Sequence, residues 1–234
     1  MCGRMTLTSA DWVTVAEELL ATGSPETMAW LHPRFNVAPT QVHPVVMSGQ
    51  QGGNVLALAN WGFPGNQQTP LVINARAETI ASRPMFKSAV ARHRCVVVAD
   101  GFIEWRKTPT ARQPLWFRRP EGMPLYLAGL YTPAGATAKE SPARFVVVTT
   151  APNQLVSAVH DRMPAVLSPQ DALRWLAAPR LDLLVPAPAT WLQSAEVSTR
   201  INSAANDDPD CLAPPSARRE QLALFEDPMA ARSS

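Results

Sequence analysis

The chain has 234 residues, 46% of them hydrophobic, which supplies a packed core and excludes global disorder. Charged residues are only 17%, below the roughly 25% usual in soluble domains, and 23 prolines argue against a long helical bundle. A net charge of +2 is too weak to mark a nucleic-acid binder by itself, so any such footprint must be a local cluster of arginines.

Thr8 is expected to cap a first helix, with Asp11 in the capping-box position. Trp12, Val15, Ala16, Leu19 and Leu20 form its apolar stripe, and Gly23 is placed to close it. Between 45 and 63 two apolar runs flank Gln51-Gly52-Gly53-Asn54, which reads as a hairpin. Further strands are expected at 71–74, 95–99, 102–105, 115–118, 125–131 and 144–150, rich in Val, Ile, Leu and aromatics. Ser168-Pro169 starts another helix, with Asp171 in its first turn. Many strands and few helices give an α+β, mainly β single domain. Composition shifts near Asn206, and everything after about 212 reads as a mobile tail.

Three cysteines, Cys2, Cys95 and Cys211, are odd in number and widely spaced, so they form neither a disulfide framework nor a CxxC metal site. The scattered histidines His32, His43, His93 and His160 argue against zinc, and no metal or cofactor is expected. Asp11, Glu17 and Glu18 interrupt what would be the core of a signal peptide, and no apolar run approaches the ~18 residues of a membrane span. The expectation is a cytoplasmic protein with no membrane partner.

Four polar strings stand out. In Met1-Cys2-Gly3-Arg4, Cys2 is small enough for aminopeptidase removal of Met1, which would leave an α-amine and a thiol on adjacent carbons. An α-amine with pKa ≈ 7.7–8.0 is partly unprotonated at neutrality and can attack an aldehyde, after which the thiol can close a thiazolidine. A cysteine at position two is, alone, as easily incidental. The strand 71–74 runs into Asn74, Arg76 and Glu78, polar groups that a strand end presents to a pocket. Glu104 lies beside Phe102 and Trp105, a setting that raises a carboxyl pKa for acid–base work, although a solvated strand residue is the commoner case. His160, in Val159-His160-Asp161-Arg162-Met163-Pro164, reads as a general acid or base, or as a hydrogen-bonded structural residue.

MCGR at the start, RFNVAPTQ at 34–41, WGF at 61–63, NARAET at 74–79, ADGFIEW at 99–105 and HDRMP at 160–164 occur in the order of one family. The chain resembles the SOS-response-associated peptidase (SRAP) family, the abasic-site processing proteins, from Cys2 to about Leu212. The resemblance implies a barrel-like β-sheet core with peripheral short helices, a domain at 2–212 and a flexible tail at 213–234. It also implies binding of single-stranded DNA and a covalent crosslink to abasic sites, with shielding of those sites during the damage response and lyase or self-processing peptidase activity. In that scheme Cys2 is the nucleophile, Asn74 orients it, and Glu104 and His160 move protons. Arg4, Arg76 and Arg162 hold the DNA backbone, and Pro39, Thr40, Thr149 and Thr150 line the groove around the abasic nucleotide. Two departures stand: Asn66-Gln67-Gln68 replaces aromatics that wedge between bases, and Arg83, followed by Pro84, is displaced by one position. Family resemblance favours a monomer.

The tail string Gln221-Leu222-Ala223-Leu224-Phe225 looks like the short motif by which bacterial repair proteins dock on the sliding clamp. Leu222, Leu224 and Phe225 would fill an apolar pocket and Gln221 its rim. A helix folding back on the domain, or chance, is the competing reading. Two other functions stay open: an N-terminal-nucleophile cysteine peptidase, and a single-stranded DNA-binding module without chemistry.

Overall fold

Valine-rich strands dominate the fold because β-branched residues pack well on a pleated surface. The computed structural model describes residues 2–9, 11–49, 53–109, 111–134 and 142–215. The strands are β1 (Met5–Leu7), β2 (Ala21–Gly23), β3 (Arg34–Val37), β4 (Val42–Ser48), β5 (Asn54–Trp61), β6 (Phe63–Pro64), β7 (Leu71–Val72) and β8 (Asn74–Arg76). They continue as β9 (Arg94–Ala99), β10 (Gly101–Lys107), β11 (Arg112–Arg118), β12 (Leu125–Thr132), β13 (Arg144–Thr150), β14 (Met163–Pro164), β15 (Val166–Leu167) and β16 (Gln193–Glu196). The helices are α1 (Trp12–Glu18), α2 (Pro25–Trp30), α3 (Pro84–Arg92), α4 (Gln154–Ser157) and α5 (Pro169–Ala177).

Strands β5, β4, β9, β12 and β13 follow one another by antiparallel pairing, and β13 returns to lie parallel to β5, closing a ring. Only the start of β13 does this, through Arg144 opposite Asn60 and Phe145 opposite Trp61; its end pairs in parallel with β8. A second sheet, in the order β16-β11-β10-β1-β3, is antiparallel throughout. Side chains alternate as strand geometry demands. Val96, Val98, Tyr126, Ala128, Val146 and Val148 pack with helices α1, α3 and α5, while Cys95, Val97, Leu127, Phe145 and Val147 pack with Met5, Phe102 and Phe117 of the second sheet. The fold is thus the expected α+β, mainly β single domain with a ring-like sheet.

Two buried ionisable side chains shape this core. Arg94 opens β9 and donates to the carbonyls of Val90 and Ala91 at the end of α3 and of Trp175 and Leu176 in α5, at 2.7–3.0 Å. One guanidinium therefore satisfies the last carbonyls of two helices, where the macrodipole favours a cation. His43 on β4 is buried, and its Nε2 lies 2.6 Å from the Val98 carbonyl. Burial, chiefly, pushes its pKa down to about 4 and keeps the ring neutral.

The hairpin, the strand at 144–150 and the helix capped by Ser168 stand where the sequence places them. The first helix starts later: Asp11, not Thr8, is its cap, accepting from the Val13 and Thr14 amides. Thr8 is drawn away by Asp100, whose carboxylate accepts its hydroxyl at 2.6 Å. Leu20 is 68% exposed rather than core, and Gly23 belongs to β2 rather than to a helix end. The 71–74 run splits into β7 and β8. The acidic, proline-rich stretch from Asn206 is folded as far as Leu212, with Cys211 fully buried in a 3₁₀ turn. The clamp-like residues Gln221, Leu222, Leu224 and Phe225 lie outside the described residues.

Candidate active site

β1 lies inside the second sheet, between β10 and the edge strand β3, so the residues just before it run between two strands. Cys2 is fully buried there, and Asn74 donates from Nδ2 to its carbonyl at 2.9 Å. Asn74 is delivered by the β8–β13 pairing, and Trp61 fixes the approach by donating to the Ile73 carbonyl at 3.0 Å. The other amide atom, Asn74 Oδ1, is buried with no hydrogen-bond partner among the described residues. Burial, and then the nearby Glu104 carboxylate, hold the Cys2 thiol well above its usual pKa, so it is a neutral thiol.

Glu104 sits on β10 with its side chain only 3% exposed. Burial first, and the negative charge of Asp161 with it, pushes its pKa up to about 7. His160 follows α4, which Asn153 caps by accepting from the Val156 amide, and its Nε2 lies 4.0 Å from Glu104 Oε2. Its Nδ1 is near two groups with opposite demands, the Arg162 amide at 3.0 Å and an Asp161 carboxylate oxygen at 2.9 Å. The amide is fixed by the backbone, whereas Asp161 is 87% exposed and solvated. Nδ1 therefore accepts from the amide, and the ring carries its proton on Nε2, facing Glu104. Burial lowers the pKa of His160, so the neutral ring is favoured.

The arrangement brings Cys2, Asn74, Glu104 and His160 together from four distant stretches of chain. It offers a nucleophile, a group that holds it, and two proton carriers whose environments move their pKa values towards or below neutrality.

The predicted arginines divide. Arg76 and Arg83 are exposed on an open cleft of about 760 Å³ that adjoins Asn74, and neither side chain has a hydrogen-bond or ion-pair partner among the described residues. Arg162 is instead forked on Glu78, at 2.6 and 2.9 Å, and donates to the Thr149 carbonyl at 2.5 Å. Arg4 is turned onto Asn36 Oδ1 at 2.6 Å and the Ile201 carbonyl at 2.5 Å. Thr149 and Thr150 are buried at the end of β13. Pro39 and Thr40 form the turn after β3. Thr40 is exposed and holds a left-handed φ of +74°, a conformation costly for a β-branched residue. Asn66, in the string that replaces the aromatic wedge, lines the cleft and turns its Oδ1 back onto the Gln68 and Thr69 amides.

Sequence reasoning offered Glu78 to a pocket rather than to Arg162, and gave no role to Asp161, Asn36 or Asp207. The first three stand inside the strings quoted above, beside residues that were singled out. Asp207 lies in the acidic stretch where the composition shifts, ahead of the tail read after about 212.

The profile of the family described as SOS response associated peptidase (SRAP) matches residues 1–204. The abasic site processing protein YedK of Escherichia coli is 34% identical over 180 residues, covering 75% of this chain and 79% of its own. YoqW of Bacillus subtilis, also named an abasic site processing protein, is 30% identical over 225 residues, covering 91% of this chain and 99% of its own. The crystal structure of a protein from Bacteroides thetaiotaomicron shares the fold, with a TM-score of 0.76 at 22% identity over 91% of this chain and 99% of that one. Sequence profile, relatives and fold agree: the chain belongs to the SOS response associated peptidase family.

Proposed function

We propose that this protein processes abasic sites in single-stranded DNA by covalent capture at Cys2 after Met1 is removed. The observation that carries the reading is the buried cluster of Cys2, Asn74, Glu104 and His160, since an amine and a thiol on adjacent carbons suit the aldehyde of a ring-opened abasic deoxyribose. The freed Cys2 amine adds to the aldehyde carbon and loses water to give an imine. The thiol sulfur then adds to that carbon, its proton passes to the nitrogen, and a thiazolidine closes; one water leaves overall. Asn74 holds Cys2 by its carbonyl. Glu104, titrating near neutrality, delivers and removes protons at the aldehyde oxygen and the amine, and His160 assists ring opening. Arg76 and Arg83 offer exposed guanidiniums to phosphates on the cleft, alongside the predicted contacts of Arg4 and Arg162, and binding weakens with added salt.

The test mixes Met1-free protein with single-stranded DNA bearing one abasic site on a denaturing gel, with intact mass of the same sample. A heat-stable band is expected, absent in Cys2→Ala. The rate should bend near pH 7, and Glu104→Gln should remove the bend and slow capture by about 10²-fold or more. No band from protein with a free Cys2 amine would sink the reading.

The tail string at 221–225 extends the proposal to a partner, the sliding clamp, which would raise the local concentration of the protein at replicating DNA. A tail peptide is expected to bind purified clamp and to lose binding when Leu224 and Phe225 are both changed to Ala; binding that survives the change refutes the motif.

A further inference from the structure

The segment at 199–208 leaves the second sheet and crosses the free edge of β3. Its own hydrogen bonds explain why it stays. Asp207 accepts the Phe35 and Asn36 amides at 2.6 and 2.9 Å and pairs with Arg34, so a carboxylate replaces the strand that the β3 edge lacks. Asn36 is fully buried, and its Nδ2 lies 2.7–3.2 Å from the carbonyls of Ile201, Ser203 and Asn206.

The same amide turns its oxygen towards the site. Asn36 Oδ1 accepts from Arg4 at 2.6 Å, and Arg4 also donates to the carbonyls of Ile201 and Asn202 at 2.5 and 3.3 Å. Arg4 is two residues from Cys2, and its own carbonyl lies 3.8 Å from the Cys2 sulfur. On the other side, Trp105, next to Glu104, donates from Nε1 to Asn202 Oδ1 at 2.7 Å. One segment thus grips the stretch that leads from Cys2 into β1 and the strand that bears Glu104. Chain ends fray unless tied down, and β1 itself is only three residues long.

We infer that residues 199–208 are a strap that fixes Cys2 relative to Glu104, with Asn36 and Asp207 as positioning residues. The inference rests on the proposed covalent capture for its rate consequence, but not for its structural one. Asp207→Ala opens the strap at a partly exposed position, Asn36→Ala cuts its link to Arg4, and Asp207→Asn keeps the acceptor that the two backbone amides use.

Three measurements are made on each full-length variant. Capture of abasic DNA should slow by about 10²-fold in Asp207→Ala and Asn36→Ala, the scale of an ångström misplacement. Affinity for DNA carrying a tetrahydrofuran abasic analogue, which cannot crosslink, should stay at the wild-type value. Alkylation of Cys2 by iodoacetamide, located by peptide mass, should speed up roughly tenfold as the buried thiol gains access to local opening. Asp207→Asn should recover most of the capture rate.

Unchanged alkylation and capture in Asp207→Ala would overturn the strap, as would a loss of analogue affinity that matches the loss of rate. If wild-type protein captures no DNA, the proposed function fails while the alkylation comparison still decides the strap. Should Asn36→Ala not fold, the two Asp207 variants decide it.

Discussion

Glu104→Gln is expected to be more stable than the wild type at pH 8, by on the order of 3 kcal/mol, and to lose that advantage by pH 4–5. The folded carboxyl titrates at about 7 and an unfolded one near 4.3, so between those values the folded state keeps a proton that the unfolded state has lost. Stability from this group therefore falls as pH rises through the window, at about 1.4 kcal/mol per unit. His43 works in the opposite sense. Its folded pKa of about 4 lies below the ordinary value near 6.5, so its contribution is full above that value and lost as pH falls towards 4. Over the shared interval the two slopes cancel. Urea unfolding across pH 4–8 should show a flatter profile in the wild type than in Glu104→Gln, whose stability climbs with pH once the His43 slope is no longer offset. A difference between the two proteins that does not change with pH would refute the account. A buried carboxyl that makes the fold less stable at working pH fits the stability cost that the proposed role of Glu104 would carry.

Arg94→Leu is expected to cost about 3–5 kcal/mol, because it takes the guanidinium donor from the Val90, Ala91 and Trp175 carbonyls, while Leu176 keeps the Ser48 hydroxyl. Arg94→Lys keeps the charge but offers a single point donor in place of a fork, so it should fall between the leucine variant and the wild type. Urea midpoints order the three. Capture of abasic DNA by the folded fraction should be unchanged, since Arg94 takes no part in the cluster around Cys2. A leucine variant as stable as the wild type would show that the carbonyls find other partners.

How far the sequence discloses this molecule follows from the kind of interaction involved. The strands at 95–99, 125–131 and 144–150 are legible because alternate residues face two apolar layers, and the Ser168 cap because its chemistry is local. β3 and β16 escape notice: one is an edge and the other largely exposed, so neither carries a strong apolar pattern. The strap escapes for a sharper reason. Its aspartates stand where the composition turns polar and acidic, yet Asp207 is held because it stands in for a missing strand partner, a non-local fact. Of the site residues, Cys2, Asn74, Glu104 and His160 are ordinary singly and become candidates only through the ordered strings of a family. Whether an arginine is free was not legible at all: Arg4 and Arg76 look alike in the chain, and only packing sends one inward and leaves the other on the cleft.

The split pairing of β13 has a consequence for synthesis. That strand joins β5 and β8, segments made long before it, and such distant contacts carry the loop-closure cost that slows folding. Asn74 sits in the β8 segment that β13 holds, and His160 is translated after β13 itself. Cys2 is therefore made before the residues that surround it, and the cluster is completed only after β13 and His160 are made. A nascent chain that ends before β13 carries Cys2 with Asn74 not yet held in place and without His160.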